Sequence, residues 1–166
     1  MEFKKLASNT INFVLNRIIE TFGLIILIFA VLLLISLISY SPDDPNFIFP
    51  DNTIIKNVLG FHGSFTADLF FQSLGLTALL IPLSFFATGT NILLYKKIFV
   101  TIKSFFYIIL YSLFGTLFFS VFYPTAFKLY INGNGGFVGK YLETSFLNSL
   151  INTNSQLFYY VFLLLI

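Results

Sequence analysis

The sequence predicts an all-α integral membrane protein: a helical bundle of three complete transmembrane helices and a truncated fourth, with an amphipathic outer segment. Of its 166 residues 57% are hydrophobic and only 10% are charged, whereas soluble domains carry about 25% charged residues. Three long stretches contain no charged residue at all. About 20 apolar residues in a helix cross a hydrocarbon core of roughly 30 Å. A water-soluble fold is therefore excluded.

An N-terminal arm, residues 1–20, is predicted to run as a juxtamembrane helix directly into the first span at about residues 21–41. The arm carries three basic residues, and the span carries none. A cleaved signal peptide is the competing interpretation, but the apolar stretch exceeds the usual 7 to 15 residues and no small-residue cleavage site follows Ile38. An uncleaved anchor is the expected form.

The second and third spans are predicted at about residues 67–95 and 104–124, joined by a short lysine-rich connector at 96–103. Pro82 interrupts the second span, and its missing N–H frees a backbone carbonyl, which predicts a mild kink. A bend tolerated by neighbouring helices is favoured over a gating hinge at this proline.

The distribution of basic residues predicts the orientation. The arm and the connector hold six of the nine Lys and Arg residues, whereas the outer loops, about 42–66 and 125–154, hold Lys56, Lys128 and Lys140. Cytoplasmic segments carry the excess of basic residues in membrane proteins. The N-terminus and the connector are therefore expected in the cytoplasm.

A glycine-rich turn, residues 132–136, separates the third span from an amphipathic segment at 137–151 with apolar residues near helical spacing. The pattern fits either an interfacial or a re-entrant helix. The partial fourth span, 155–166, ends in ten apolar residues, which reach about 15 Å, half of a bilayer core. The chain is expected to be truncated there.

No catalytic, cofactor or metal site is predicted. Cysteine is absent and His62 is the only histidine, and Ser64 two residues away does not establish a nucleophile with its base. No phosphate-binding glycine-rich loop occurs. The net charge of +2 without a basic cluster argues against direct nucleic-acid contact.

Two prolines flank two acidic residues directly after the first span, in the order Pro42, Asp43, Asp44, Pro45. Each proline fixes its own φ and biases the preceding residue away from the helix. A stiff helix stop is predicted. A cation site is disfavoured, because hard cations take six or more oxygen ligands.

Asp68 and Gln72 lie four residues apart and are expected to share one helix face at the outer end of the second span, with Ser64 and Thr66 as possible caps just before them. A structural or assembly role is favoured over proton handling, because an interfacial carboxylate in a first helical turn is stabilised by the helix dipole.

Small residues recur on the third span at Ser112, Gly115, Thr116 and Ser120. Such a stripe permits close approach of a second helix. Whether that helix belongs to this chain or to another subunit is open from the sequence.

Two motifs, S-Y-S-P-D-D-P at 39–45 and A-D-L-x-x-Q-x-x-G at 67–75, are together fairly specific. With them the chain resembles the N-terminal four-span domain of the FtsK/SpoIIIE DNA translocases. Weaker similarities are N-V-L-G at 57–60 with Gly63 and G-G-F-V-G at 135–139. The resemblance and the patterns above together give the following residues an expected role in the fold or in assembly: Pro42, Asp43, Asp44, Pro45, Gly60, Gly63, Asp68, Gln72, Gly75, Pro82, Ser112, Gly115 and Thr116.

The resemblance implies an inner-membrane anchor at the division septum that links cell division with chromosome segregation. In such proteins a linker after the fourth span leads to a hexameric ATP-driven DNA motor, which is missing here. The chain is therefore not expected to be an enzyme. Whether it is a fragment or a motorless protein is open. Implied partners are the lipid bilayer, further copies of the chain and other division-site membrane proteins.

A small transporter or pore-forming subunit is the alternative function. Such proteins usually place ionisable residues in the middle of their spans, facing a pathway. Residues 69–95 and 104–127 contain none. The sequence therefore favours the anchor.

Overall fold

The computed structural model describes residues 2–45, 54–125 and 131–166, and this part of the chain is helical without strands. The helices are α1 Glu2–Ile38, α2 Gly60–Leu74, a 3₁₀ turn Gly75–Leu79, α3 Leu80–Tyr95, α4 Phe99–Phe122, α5 Gly136–Glu143, α6 Phe146–Thr153 and α7 Ser155–Leu165. Three stretches are long and apolar enough to cross a membrane: Asn9–Ile38, Gly60–Tyr95 and Thr101–Phe122. The predicted fold class is confirmed. The N-terminal arm is continuous with the first span in α1, as expected.

Helices α1 and α3 pack against each other in antiparallel order. Gly23 lies against Ile92, and Gly89 lies so close to α1 that a Cβ there would stand 2.7 Å from Leu27 Cγ. Glycine at both positions lets the two backbones approach, as is typical of membrane helix pairs. One cluster of buried side chains joins the first two helical stretches and α4: Leu33, Leu37, Ala67, Phe71, Ala78, Ile81 and Ile108.

Helix α2 packs against the end of α1. The Ser36 hydroxyl donates to the Gly63 carbonyl, and Tyr40, just after α1, contacts Asp68. A 3₁₀ turn separates α2 from α3, and it begins with a glycine at φ +58°.

The change of helix type in the second helical stretch precedes Pro82, at Gly75–Leu79, and the mild kink at Pro82 stays a prediction. Pro82 is fully buried and lies in the first turn of α3, which begins at Leu80. An N–H has no intrahelical partner at that position, so proline is tolerated without breaking a helix.

The outer segment is helical, but it forms two short helices, α5 and α6, where the sequence suggested one. Helix α7 has 11 residues and turns back along α4. A second buried cluster joins these elements: Leu117, Phe118, Ile151 and Phe162. Aromatic rings contribute most of this contact, for example Phe114 and Phe162 with centroids 6.0 Å apart.

Charged side chains lie at two ends of the bundle. Arg17, Glu20, Lys96, Lys97 and Lys103 mark one end, called here the basic end. The other, called the loop end, contains Asp43, Asp44, Lys56, Asp68, Lys140 and Glu143. From Glu20 to Ile38, the last residue of α1, is about 27 Å at 1.5 Å per residue, close to the roughly 30 Å thickness of a hydrocarbon core.

Candidate functional site

The loop end is organised around the buried carboxylate of Asp44, which is 4% exposed. Its two oxygens accept the backbone N–H groups of Lys56 and Asn57, each at 2.8 Å. The preceding turn, restricted by proline on both sides, holds this carboxylate in place after α1 ends. Asp44 thus joins the end of the first span to the segment that enters α2.

Asn57 closes the end of α1. Its Nδ2 donates to the carbonyl oxygens of Ser36 at 2.9 Å and Ser39 at 3.3 Å, and its Oδ1 accepts the N–H of Leu59 at 3.1 Å. The last carbonyls of a helix have no intrahelical donor. The buried side chain of Asn57 therefore hydrogen-bonds both the end of α1 and the backbone just before α2.

Gly63 and Ser64 complete this network. The hydroxyl of Ser36 donates to the carbonyl of Gly63 at 2.6 Å, and the hydroxyl of Ser64 donates to the carbonyl of Pro45 at 3.0 Å. A Cβ at Gly63 would lie 2.1 Å from Asn57 Oδ1, so a side chain there is excluded unless the network moves. Gly60, with φ +66°, has open space around it.

Asp68 and Gln72 do share one face of α2, as the sequence indicated. The hydroxyl of Tyr40 donates to Asp68 Oδ1 at 3.2 Å, and Gln72 Nε2 approaches the same oxygen at 3.5 Å. Gln72 also accepts from Asn132 Nδ2 at 3.3 Å. A polar chain therefore connects α1, α2 and the glycine-rich turn.

The helix that carries Asp68 begins earlier than predicted. Because α2 starts at Gly60, Asp68 is in its interior, and the prediction that Ser64 and Thr66 cap a helix beginning there is wrong. Thr66 instead donates to the carbonyl of His62 within the helix at 2.7 Å. Tyr40 is the group that engages Asp68 in place of the helix dipole.

Gly75 is the point where the second helical stretch meets the glycine-rich turn. The N–H of Leu76 donates to the carbonyl of Asn134 at 2.9 Å, and a Cβ at Gly75 would lie 1.9 Å from that same oxygen. Gly136 also has positive φ, +65°, and its own Cβ would lie 2.5 Å from the Gly75 nitrogen. Two backbones therefore cross in direct contact.

The small-residue stripe of α4 packs within this chain. A Cβ on Gly115 would lie 2.8 Å from the side chain of Thr77, and Thr116 is fully buried. Gly135 and Gly139 lie against the carbonyl of Thr116, at 2.5 and 2.3 Å for their hypothetical Cβ atoms. The small-residue face of α4 thus packs against the 3₁₀ turn and α5. Ser112 is also buried.

The exposed residues of the proline-flanked turn differ from Asp44. Pro42 and Asp43 face solvent, and Lys56 Nζ forms an ion pair with Asp43 at 2.8 Å. The hydrogen bond from Lys56 holds the pKa of Asp43 below its ordinary value, and the same bond raises the pKa of Lys56.

This arrangement provides connections between helices, not reactive groups. In the described part of the chain, no three His, Asp or Glu side chains lie close enough to hold a metal ion. Five of the buried polar side chains are hydrogen-bonded to backbone groups of another segment: Ser36, Asp44, Asn57, Ser64 and Asn134. Four buried atoms have no protein partner within that part: Thr77 Oγ1, Thr101 Oγ1, Ser112 Oγ and Asn134 Oδ1.

Sequence reasoning did not select Asn57, Asn134, Tyr40 or Glu143 as site residues. Asn134 Nδ2 donates to the carbonyl of Tyr123 at 2.6 Å, and Glu143 accepts from the hydroxyl of Ser120. The two asparagines lie within N-V-L-G and N-G-N-G-G, so asparagine beside glycine in a loop was the available signal.

The family described as the 4TM region of DNA translocase FtsK/SpoIIIE matches residues 16–166. Among curated proteins, the DNA translocase FtsK of Rickettsia bellii is 38% identical over 82 residues, which are 48% of this chain and 10% of that protein. The DNA translocase FtsK of Rickettsia typhi is 37% identical over 76 residues, 46% of this chain and 10% of that protein.

In the DNA translocase FtsK of Rickettsia prowazekii the identity is 33% over 82 residues, 48% of this chain and 11% of that protein. No solved structure matches the chain. The matched segments span about a tenth of the length of these relatives. Because the family match covers most of the sequence, the chain belongs to the family of the membrane region of FtsK/SpoIIIE DNA translocases.

Proposed function

We propose that this domain is the membrane anchor and assembly module of a septal DNA translocase, linking cell division with chromosome segregation. The family match over residues 16–166 carries the proposal. The relatives are named DNA translocases, and the matched segment is a small part of each. The anchor would hold a motor that lies elsewhere in the protein.

The loop-end network supports a static role. Asp44, Asn57 and Gly75 fix the helix ends to one another through buried hydrogen bonds and backbone contacts. An anchor must keep its spans in a fixed arrangement while a force acts on the attached motor. A transporter needs a polar pathway, and the uncharged cores of the spans do not favour one.

We also propose that the N-terminus and the connector at the basic end are cytoplasmic. Arg17, Lys96, Lys97 and Lys103 lie at that end, whereas the described lysines of the loop end are Lys56 and Lys140. Lys128 lies outside the described residues. The positive-inside rule then places the loop end in the periplasm. Further copies of the chain and other division-site membrane proteins would be its partners.

Replacement of the membrane region in a bacterial FtsK tests the anchor. A chimera with residues 1–166 in place of the host's own region, fused to a fluorescent protein, should concentrate at midcell in dividing cells. Asp44→Ala in the same chimera, which disrupts the loop end, should reduce that signal. Uniform membrane fluorescence of the unmutated chimera at equal expression would contradict the septal role.

Reporter fusions test orientation separately. Alkaline phosphatase inserted after Val58 should be active, and the same insertion after Lys97 should be inactive. The opposite pattern would refute the proposed topology.

A further inference from the structure

The short connection between α3 and α4 presents positive charge without acidic partners. Glu20 is the acidic side chain described at the basic end, and it forms ion pairs with Lys96, at 2.7 Å, and with Arg17. Lys97 and Lys103 are exposed and form no ion pair within the described residues. Two lysine side chains are therefore available to an external anion.

The backbone holds these charges in a fixed place. Lys96 adopts the left-handed conformation with φ 54°, and its N–H donates to the carbonyl of Ile92 at 2.8 Å. Only residues 96–98 separate the two helices. With the Lys96 side chain bound to Glu20, the position of Lys97 relative to the start of α4 is restricted.

The N-terminus of α4 adds to the positive potential at this point. Ile98 precedes the helix and provides no side-chain cap, so the first amides of α4 depend on groups outside the helix. Partial positive charge at a helix N-terminus favours anions.

Apolar side chains surround the lysines. Tyr95 is 63% exposed, Phe99 73% and Ile102 64%. An occupant that covers these side chains and neutralises the lysines must carry both an anionic group and hydrocarbon. Free phosphate would leave the aromatic surface uncovered.

We propose that the α3–α4 connector is a binding site for the phosphate headgroup of an anionic phospholipid. Lys97 and Lys103 pair with the headgroup, the amides at the start of α4 face the phosphate, and the acyl chains lie along Phe99 and Ile102. This site is independent of the proposed septal function and of which membrane face the connector occupies, because it depends only on local charge and exposure.

Native mass spectrometry of the purified chain in detergent tests the site. The probes are phosphatidylglycerol, phosphatidylcholine and inorganic phosphate. We expect phosphatidylglycerol to be retained more tightly than phosphatidylcholine. Lys97→Gln/Lys103→Gln should weaken phosphatidylglycerol binding about 25-fold, at about fivefold per lysine, and Lys97→Arg/Lys103→Arg should retain it.

The matched control is Lys56→Gln/Lys140→Gln, which removes the same charge from the loop end and should change binding less than twofold. Circular dichroism establishes that each variant is folded, as expected for exposed positions. Equal weakening by the control, equal retention of both phospholipids, or displacement by inorganic phosphate at the lipid's own concentration would each overturn the proposal. Displacement would identify a free-phosphate site instead.

Discussion

Asp44 and Asn57 are joined by a 2.8 Å hydrogen bond from the Asn57 backbone N–H to Asp44 Oδ2, and both residues are buried. Asn57 in turn donates its side-chain amide to α1. The two residues therefore join the end of the first helix to the start of the second, alongside the direct hydrogen bond from Ser36 to the Gly63 carbonyl.

Asp44→Ala should destabilise the domain by about 3 kcal/mol, because two backbone N–H groups lose their charged acceptor in a buried site. Asp43→Ala is the control, because the carboxylate of Asp43 is exposed and makes one surface ion pair, with Lys56. Thermal unfolding in detergent, followed by circular dichroism, measures both. Equal losses of stability would refute the special role of Asp44.

Gly75→Ala should be far more destabilising than Gly60→Ala. Both residues have positive φ, and Gly75, with ψ −142°, lies outside the left-handed helical region, so alanine there is strained in its backbone. At Gly75 the new Cβ also meets the carbonyl of Asn134 at 1.9 Å, whereas none of the described atoms lies within 4 Å at Gly60. The difference in unfolding temperature between the two variants measures this combined cost, and similar temperatures would contradict the close contact.

Lys56→Gln should raise the pKa of Asp43 toward its ordinary value, because the lysine hydrogen bond lowers it in the folded protein. The pair stabilises the fold above about pH 4 and below about pH 10.4, the ordinary pKa values of the two groups. This contribution is lost as pH falls through the lowered pKa of Asp43 or rises through the raised pKa of Lys56.

Carbon-13 NMR titration of Asp43 in the unmutated chain and in Lys56→Gln measures that shift directly. An unchanged Asp43 titration would show that the ion pair does not persist in solution.

A double-mutant cycle between Glu20→Gln and Lys96→Gln should reveal favourable coupling at the basic end. Their side chains are 2.7 Å apart across α1 and α3, and the coupling should fall with added salt because both are partly exposed. The pair Glu20→Gln and Lys97→Gln is the comparison cycle, with little coupling expected. Coupling that is equal in the two cycles would refute a specific contact.

The helical class and the number of long apolar stretches were predictable, because uncharged runs near 20 residues have few alternatives in a bilayer. The break between α2 and the 3₁₀ turn at Gly75 was not predictable. In sequence, residues 60–95 contain apolar residues on both sides of that glycine, so hydropathy alone does not separate α2 from α3. The positive φ of Gly75 and its contact with Asn134 depend on the glycine-rich turn, which lies almost 60 residues further along the sequence.

The sequence indicated which residues have structural roles, but not which residues they contact. Local motifs around Asp44 indicated a turn, and the small residues near Gly115 indicated close packing. Their partners, Asn57 and Thr77, come from other elements, and single-sequence periodicity carries no information about pairing over such separations. At Pro82 the kink stays a prediction, because the place of a proline within the helix determines whether it bends the chain.

The crossing of Gly75 with the glycine-rich turn also has a consequence for biogenesis. Asn134 and Gly136 follow α4 in the sequence, so during synthesis they reach Gly75 only after the third apolar stretch has crossed the bilayer. The first two helical stretches must persist in the membrane with this contact unmade. Residues 131–139 therefore complete their contact with Gly75 only after α4 has been inserted.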